Sequence, residues 1–328
     1  MNIWQELTQN NQKILALSPM DGVTNCPMRT ITKKYGQPQL IFTEFANVEG
    51  LHHAPDRILP ILKKTPEQDP VIAQIYGLSP QFFYDATQII CERGFAGVDI
   101  NMGCPAKNVV QNGAGGGLIK NRELVKEIVT AIKNSVADFA KNNQCDPIPI
   151  SFKTRLGVHS DEEMEDWLSF LLEFEPANIS LHGRTLKQAY SGEANWQRIK
   201  DAVKLFGGTS TTIIGNGDIK THQQALEKIE FSGVNGLLIG RASIGNPFVF
   251  NGHQSTTYEM AKIALEHCRF FEKCFKDSPK YNFLPMRTHL ASYIKDVAGA
   301  SQIRSELVQA NSADEVEKIL ESHNLLSK

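Results

Sequence analysis

The sequence predicts an α/β protein, a closed (β/α)8 TIM barrel followed by a small all-helical C-terminal domain. Three observations carry this. Eight short apolar runs alternate with helix-patterned stretches within about the first 250 residues, the rhythm of a barrel. The first run leads into Pro19-Met20-Asp21-Gly22, whereas the first strand of a dinucleotide-binding doubly wound sheet leads into a G-x-G-x-x-G turn. Past Pro247 the strand-like runs stop and helical patterns alone continue.

Ile14 to Ser18 reads as the first strand, with a helix from Cys26 to Tyr35 after it. Leu40 to Thr43 is the second strand and Val71 to Ile75 the third. Pro80, suited to the first turn of a helix, opens one that runs to Arg93. Gly97 to Ile100 is the fourth strand, followed by a helix from Arg122 to about Phe139. A loop over 141–149 with Pro147 and Pro149 leads into the fifth strand, Ile148 to Lys153. Ser160 reads as an N-cap, and Glu163 stands at the offset that returns the capping bond. That helix runs to about Phe174. Asn178 to Leu181 is the sixth strand, Trp196 to Phe206 a helix, Thr211 to Ile214 the seventh strand, His222 to Ile229 a helix and Gly236 to Ile239 the eighth strand. The tail reads as helices over Tyr258 to Phe275, Leu284 to Val297, Gln302 to Gln309 and Ala313 to His323. Pro279 marks a break, Pro285 a helix start and Ser312 a cap. The expected division is a barrel over 1–250 and a helical domain over 255–328.

Composition narrows the class. The 328 residues are 41% hydrophobic and 21% charged, with a formal net charge of −2. That supports a sizeable core and argues against a uniformly basic nucleic-acid binder, though not against a local basic face. Six cysteines contain no C-x-x-C pair, and the N-terminus is polar rather than a signal peptide. A reducing cytoplasm is the expected compartment. No apolar run reaches the ~18 residues that a membrane span needs. No zinc-spaced cluster of His, Cys, Asp and Glu exists, so no metal is expected. No heptad or repeat signals a partner chain, and a monomer is expected.

In a barrel, reactive groups gather where the strands end. Those positions hold Pro19 and Met20, Glu44 and Asn47, Gln74, Asn101 and Cys104, Lys153 and Arg155, His182 and Arg184, Asn216, Gly217 and Asp218, and Gly240 and Arg241. The turns Gly215-Asn216-Gly217-Asp218 and Gly240-Arg241-Ala242 can expose backbone N–H groups, with a short helix near Arg241 adding its positive end. This is the usual barrel location for a phosphate. Tight turns alone would also account for the glycines, and Arg241 favours the anion. Lys153 is either a surface lysine or a fixed positive charge in the mouth. His182 is either a ligand contact or a structural ring. Cys104 lies in Asn101-Met102-Gly103-Cys104-Pro105-Ala106-Lys107, just after the apolar run Val98-Asp99-Ile100. A buried inert thiol is one reading. The polar loop favours the other, a thiol mostly protonated at neutral pH and able to give that proton up. Gly113, Gly115, Gly116 and Gly117 then carry the chain where side chains would be in the way.

These pieces together resemble the flavin-dependent dihydrouridine synthase family. The matching segments are Ser18-Pro19-Met20-Asp21-Gly22-Val23-Thr24, Thr43-Glu44-Phe45, Asn101-Met102-Gly103-Cys104-Pro105, Lys153-Thr154-Arg155-Leu156-Gly157, His182-Gly183-Arg184-Thr185, Gly215-Asn216-Gly217-Asp218-Ile219 and Ile239-Gly240-Arg241-Ala242, in the family's order. The resemblance implies FMN at the barrel mouth, reduction by NADPH rather than NADH, and reduction of a uracil ring in RNA to 5,6-dihydrouridine. It implies Cys104 as the acid that protonates C5. It makes Gln74, Lys153 and His182 flavin contacts, and Asn216, Gly217, Gly240 and Arg241 the phosphate cradle. Pro19, Met20 and Asp218 complete the expected cofactor contacts. Asn101, Arg184 and Tyr190 are the expected substrate contacts. Transfer RNA is the implied target and ribosomal RNA the alternative. Two further readings stand beside it: a dihydroorotate dehydrogenase-like flavin enzyme acting on a free pyrimidine, and a non-catalytic RNA-binding protein on an old barrel.

The helical tail also resembles the family's RNA-binding bundle. Residues 255–313 hold eight Lys/Arg against six Asp/Glu, and Asp314, Glu315, Glu317 and Glu321 then turn the tail acidic. An RNA face is therefore expected as a stripe, extended by Lys187 and Arg198. Cys26-Pro27-Met28-Arg29 and the Gly115-Gly116-Gly117 run depart from the commonest family wording. Neither touches the expected cofactor contacts.

Overall fold

The computed structural model describes residues 1–278 and 281–326. Eight parallel strands close in sequence order into a barrel: β1 (Ile14–Leu17), β2 (Leu40–Asn47), β3 (Val71–Tyr76), β4 (Gly97–Met102), β5 (Ile150–Arg155), β6 (Asn178–His182), β7 (Thr212–Asn216) and β8 (Gly236–Ile239). Closure runs through Ile14 to Leu17 paired with Gly236 to Ile239. The expected fold class holds. β2 runs four residues past the expected Thr43, across a register shift between Phe42 and Phe45 against β3. β5 starts two residues later than expected and reaches Arg155.

Side chains alternate along each strand, and one parity points inward. On β8, β1 and β2 the inner layer is apolar, and Leu238, Ile14, Ala16, Leu40 and Phe42 form one buried cluster with Ile72 of β3 and Ile214 of β7. Trp4, fully buried on the short helix Ile3–Leu7, joins that cluster and closes the floor, its ring 6.2 Å from Phe42. On β4 to β7 the inner layer holds buried Asp99, Ser151, Asn178, Ser180 and Thr212. The outward parity packs under the helices in the larger core, which includes Val98, Ile100, Phe152, Ile179, Leu181 and Ile213.

The helices behave locally as their sequences require. Ser160 and Glu163 form the expected capping box, though around a single 3-10 turn ahead of helix Met164–Leu172. Helix Cys26–Ile31 ends early and continues as a π-turn to Gly36. A Cβ on Gly36 would lie 2.1 Å from the Pro247 carbonyl oxygen, so this turn needs glycine for close backbone approach. In the tail, Thr257–Phe275, Leu284–Tyr293, Ala300–Leu307 and Ala313–Ser322 are helical, with Ser312 capping the last. The second stops four residues short of the expected Val297. Pro279 lies outside the described residues. These helices share a core of their own that also takes in Ile31 and Phe248 from the barrel side.

Candidate active site

The inward parity that fills the barrel continues upward into a cavity of about 590 Å³ at the strand ends, within the ~300–1,000 Å³ typical of small-ligand sites. Gln74, Asn101, Lys153, His182, Asn216 and Gly240 all stand on that parity and all line it. Pro19, Met20, Cys104, Tyr190, Gly217, Asp218 and Arg241 join them from the loops. Arg184 alone of the expected site residues is not in the lining. It is buried beneath the mouth, donating to the carbonyls of Ser191 and Gly192 and to the Asp218 carboxylate at 2.6 Å. Its guanidinium braces the loop after β6.

Cys104 is held from three sides. Its own N–H and that of Gly103 donate to Asn101 Oδ1, at 2.9 and 3.1 Å. Its carbonyl accepts from Gly116 N–H at 3.1 Å. A Cβ on Gly116 would lie 2.3 Å from Leu186 Cδ1 and 2.9 Å from that carbonyl oxygen, so the glycine run is needed for close approach to the thiol's backbone. Arg155 Nε donates to the Gly103 carbonyl at 2.6 Å, and its Nη1 to those of Thr185 and Ala189. Partial burial pushes the Cys104 thiol above its ordinary range. The thiol therefore carries its proton at neutral pH.

The other wall is cationic. Lys153 Nζ donates to Asn216 Oδ1 at 3.2 Å. Burial and the Arg155 charge bring its ammonium down to about 8, which keeps it mostly charged at neutral pH. His182 is held well below its ordinary value by burial and by Lys153, Arg155, Arg184 and Arg241. It is neutral, and because Arg184 Nη1 can only donate across the 3.3 Å to Nε2, the ring proton sits on Nδ1. Asp218 is an organiser: its carboxylate accepts from Arg184, from Arg241 at 3.3 Å and from Ala194 N–H at 2.8 Å. The helix expected at Arg241 is a three-residue 3-10 turn, too short to bring a helix dipole. Backbone N–H groups and the Arg241 guanidinium, its side chain 67% exposed, remain as the donors at this turn.

These residues fit a flavin mononucleotide. Gly217 has φ +133°, and a Cβ there would lie 2.5 Å from Ala194 Cβ and 3.2 Å from His182 Cδ2. A Cβ on Gly240 would lie 3.3 Å from Met20 Sδ. Both glycines keep clear a cradle lined by donors. Tyr190, 64% exposed, stands at the rim with the Arg155 and Arg241 guanidiniums each 5.9 Å from its ring.

Some of the site is not anticipated above. Phe45 and Asp21 also line the cavity. Glu44 accepts from Gly22 N–H at 2.8 Å and is brought up to about 7 by burial, holding the loop after β1. Asn47 faces away and caps helix Val48–His53. Asp99 lies directly behind the lining. Its signal was its parity with Asn101, two residues on. Among the described residues no cluster of His, Cys, Asp or Glu could hold a metal ion, and no helix is long and apolar enough to cross a membrane.

A sequence model of the dihydrouridine synthase (Dus) family matches residues 15–327. A Staphylococcus epidermidis protein named "Probable tRNA-dihydrouridine synthase" is 32% identical over 329 residues, covering 98% of this chain and 96% of that protein. The Bacillus subtilis "Probable tRNA-dihydrouridine synthase 2" is 32% identical over 326 residues, covering 98% and 96%. Among solved structures, histamine dehydrogenase from Rhizobium sp. 4-9 aligns with a TM-score of 0.52 at 14% identity, over 81% of this chain and 51% of that one, a likeness of fold alone. With its motifs in register and the family match running almost end to end, the chain belongs to the dihydrouridine synthase family.

Proposed function

We propose that this protein reduces the C5=C6 bond of specific uridines in tRNA to 5,6-dihydrouridine, using FMN and NADPH, with Cys104 as the general acid. The observation that carries the reading is that the Cys104 thiol and the Lys153 ammonium line one cavity of about 590 Å³. Gln74 and Lys153 would hold the flavin ring, and His182 would contact the flavin near its ribityl phosphate. Asn216, Gly217, Gly240 and Arg241 would hold that phosphate, with Pro19, Met20 and Asp218 as further cofactor contacts. When bound, FMN supplies the hydride for C6, taken beforehand from NADPH. The charged Lys153 favours electron density on the neighbouring ring. The protonated Cys104 gives its proton to C5, and the glycine-packed loop and Arg155 hold the thiol in place as it does so.

A ring this deep cannot be reached from within a stack, so the target uridine must turn out into the mouth. Tyr190 offers a face against which an extruded or neighbouring base can stack. Residues 1–250 act as the catalytic unit and residues 255–328 as the RNA-binding unit. The names of the two bacterial relatives favour tRNA over ribosomal RNA and over a free pyrimidine. Nothing in the composition or helices requires a membrane or a second subunit, and we assign a cytoplasmic monomer.

The test is site-resolved mapping of dihydrouridine in RNA from a strain lacking the gene. Loss of the 2 Da gain at one or more tRNA uridines, restored by the wild-type gene and not by Cys104→Ala, is expected. Unchanged tRNA in a strain without a second such enzyme refutes the assignment. Loss confined to ribosomal RNA refutes the target.

A further inference from the structure

We propose that Asp99 is a positioning residue for the Cys104 thiol, acting through a hydrogen-bond chain from the barrel interior to the loop that carries the thiol. The mechanistic value of this rests on Cys104 being the acid. The chain itself does not.

Gln74, Asp99 and Ser151 are register partners on β3, β4 and β5, so their inward side chains meet in one layer. Gln74 Nε2 donates to Asp99 Oδ2 at 2.7 Å, and Ser151 Oγ donates to Oδ1 at 2.6 Å. Asn101 Nδ2 donates to Gln74 Oε1 at 3.0 Å. Asn101 Oδ1 then accepts the N–H groups of Gly103 and Cys104. Gln74, Asp99 and Ser151 are fully buried and Asn101 nearly so.

The polarity of this chain is fixed at both ends, by the backbone N–H groups of Gly103 and Cys104, which only donate, and by Asp99. A carboxylate only accepts, so Gln74 must turn its amide nitrogen toward Asp99. That leaves Oε1 for Asn101, which must answer with its own nitrogen. Asn101 Oδ1 is then the atom left to latch the Cys104 loop. Turning either amide over would set donor against donor or acceptor against acceptor at the next link. Asp99 does not line the cavity, so it touches neither ligand nor reacting atoms. Its burial is unfavourable in itself: burial brings its carboxyl up to about 6, while Ser151, Gln74 and Lys153 oppose that shift. An apolar residue of similar bulk would be cheaper to bury at the centre of a barrel. What the carboxylate adds is an acceptor anchored in the barrel interior that matches the direction the loop N–H groups require of the two amides.

The experiment uses the full-length, flavin-loaded protein at pH 8, where the carboxyl is ionised. Two readouts are taken: the alkylation rate of Cys104 by iodoacetamide, followed by peptide mass spectrometry, and single-turnover formation of dihydrouridine in unmodified tRNA. In Asp99→Asn the new Oδ1 still accepts from Gln74 and the new amide donates to Ser151, so both readouts stay within about threefold of wild type. In Asp99→Leu the Gln74 amide loses its interior anchor, alkylation quickens about tenfold and turnover falls about 100-fold. If Asp99→Leu does not fold, Gln74→Glu, which sets acceptor against acceptor at the same link, is scored on alkylation alone and quickens likewise. Unchanged alkylation in the folded disrupted variant overturns the proposal. So does an Asp99→Asn protein as impaired as Asp99→Leu. Wild-type protein that forms no dihydrouridine overturns the proposed activity instead and leaves the alkylation comparison standing.

Discussion

Replacing His289 by leucine should remove a large part of the acid sensitivity of the C-terminal helices. His267 and His289 are both fully buried there, with ring centroids 4.7 Å apart. His267 Nδ1 meets Tyr293 Oη at 2.9 Å, but His267 Nε2 and both nitrogens of His289 have no partner among the described residues. Burial holds His289 down at about 4 against an ordinary 6.5, and His267 also well below its ordinary value. The folded state thus refuses a proton that the unfolded chain accepts once pH falls below about 6.5. Stability is flat above that pH, falls as pH drops toward about 4, and levels off below. A pKa unit corresponds to ~1.4 kcal/mol, so His289 alone accounts for about 3 kcal/mol over the full window and about 2 kcal/mol between pH 7 and pH 5.

Hydrogen–deuterium exchange over Thr257–Phe275 and Leu284–Tyr293, corrected for intrinsic rates, reads the opening free energy of these helices. Between pH 7 and pH 5 the wild type should lose about 2 kcal/mol more than His289→Leu, roughly a 30-fold difference in protection. At pH 7 the leucine variant should be as stable as wild type or more so, because two unpartnered buried nitrogens are gone and the bulk is kept. Equal acid slopes in the two proteins would refute the assignment of the sensitivity to this ring. So would a variant that is markedly weaker at pH 7, which would show that the ring makes a hydrogen bond.

The remaining predictions concern the barrel. Gly217→Ala places a Cβ at φ +133° and 2.5 Å from Ala194 Cβ, so FMN affinity, followed by flavin fluorescence quenching, should fall at least about tenfold; full flavin retention would show that this turn is not part of the cradle. Gly116→Ala should lower the thermal midpoint and slow single-turnover reduction together, since its Cβ meets both Leu186 and the Cys104 carbonyl; loss of stability at unchanged turnover would separate the loop from the chemistry. Trp4→Ala opens the barrel floor and should cost about 3–5 kcal/mol in urea unfolding, with flavin content per folded molecule unchanged; a cost below about 1 kcal/mol would mean that Trp4 covers the floor without supporting it.

Much of this site was legible because a parallel barrel turns sequence order into spatial order. Each strand end becomes a neighbour of the next, so Gln74, Asn101, Lys153, His182 and Asn216 could be placed in one ring from strand positions alone. Arg184, two residues past the end of β6, shares the inward parity of His182, but its guanidinium is tied to His182 Nε2, to the loop carbonyls of Ser191 and Gly192 and to Asp218, bonds that strand position alone does not reveal. At Arg241, where the sequence suggests a short helix, the chain makes a three-residue 3-10 turn. The pairing of His267 with His289 was not legible at all, since the two stand on different helices and each alone fits an apolar face.

Asp99 shows where reading by strand ends stops short. It sits inside the run Val98-Asp99-Ile100, which reads as core, and a lone acid in such a run has no local partner to announce it. Its partners come from the adjacent strands at the same height, Gln74 on one side and Ser151 on the other. The buried polar side chains of the inner layer run from Gln74 on β3 through Asp99, Ser151, Asn178 and Ser180 to Thr212 on β7, beneath the cationic wall and the Cys104 loop, while the apolar cluster centres on β8, β1 and β2. A hydrophobic half can hold shape but cannot orient an amide. The half beneath the reacting groups is therefore the half that has to contain hydrogen bonds, and the buried acid at its centre is the member whose chemistry leaves it one choice of direction.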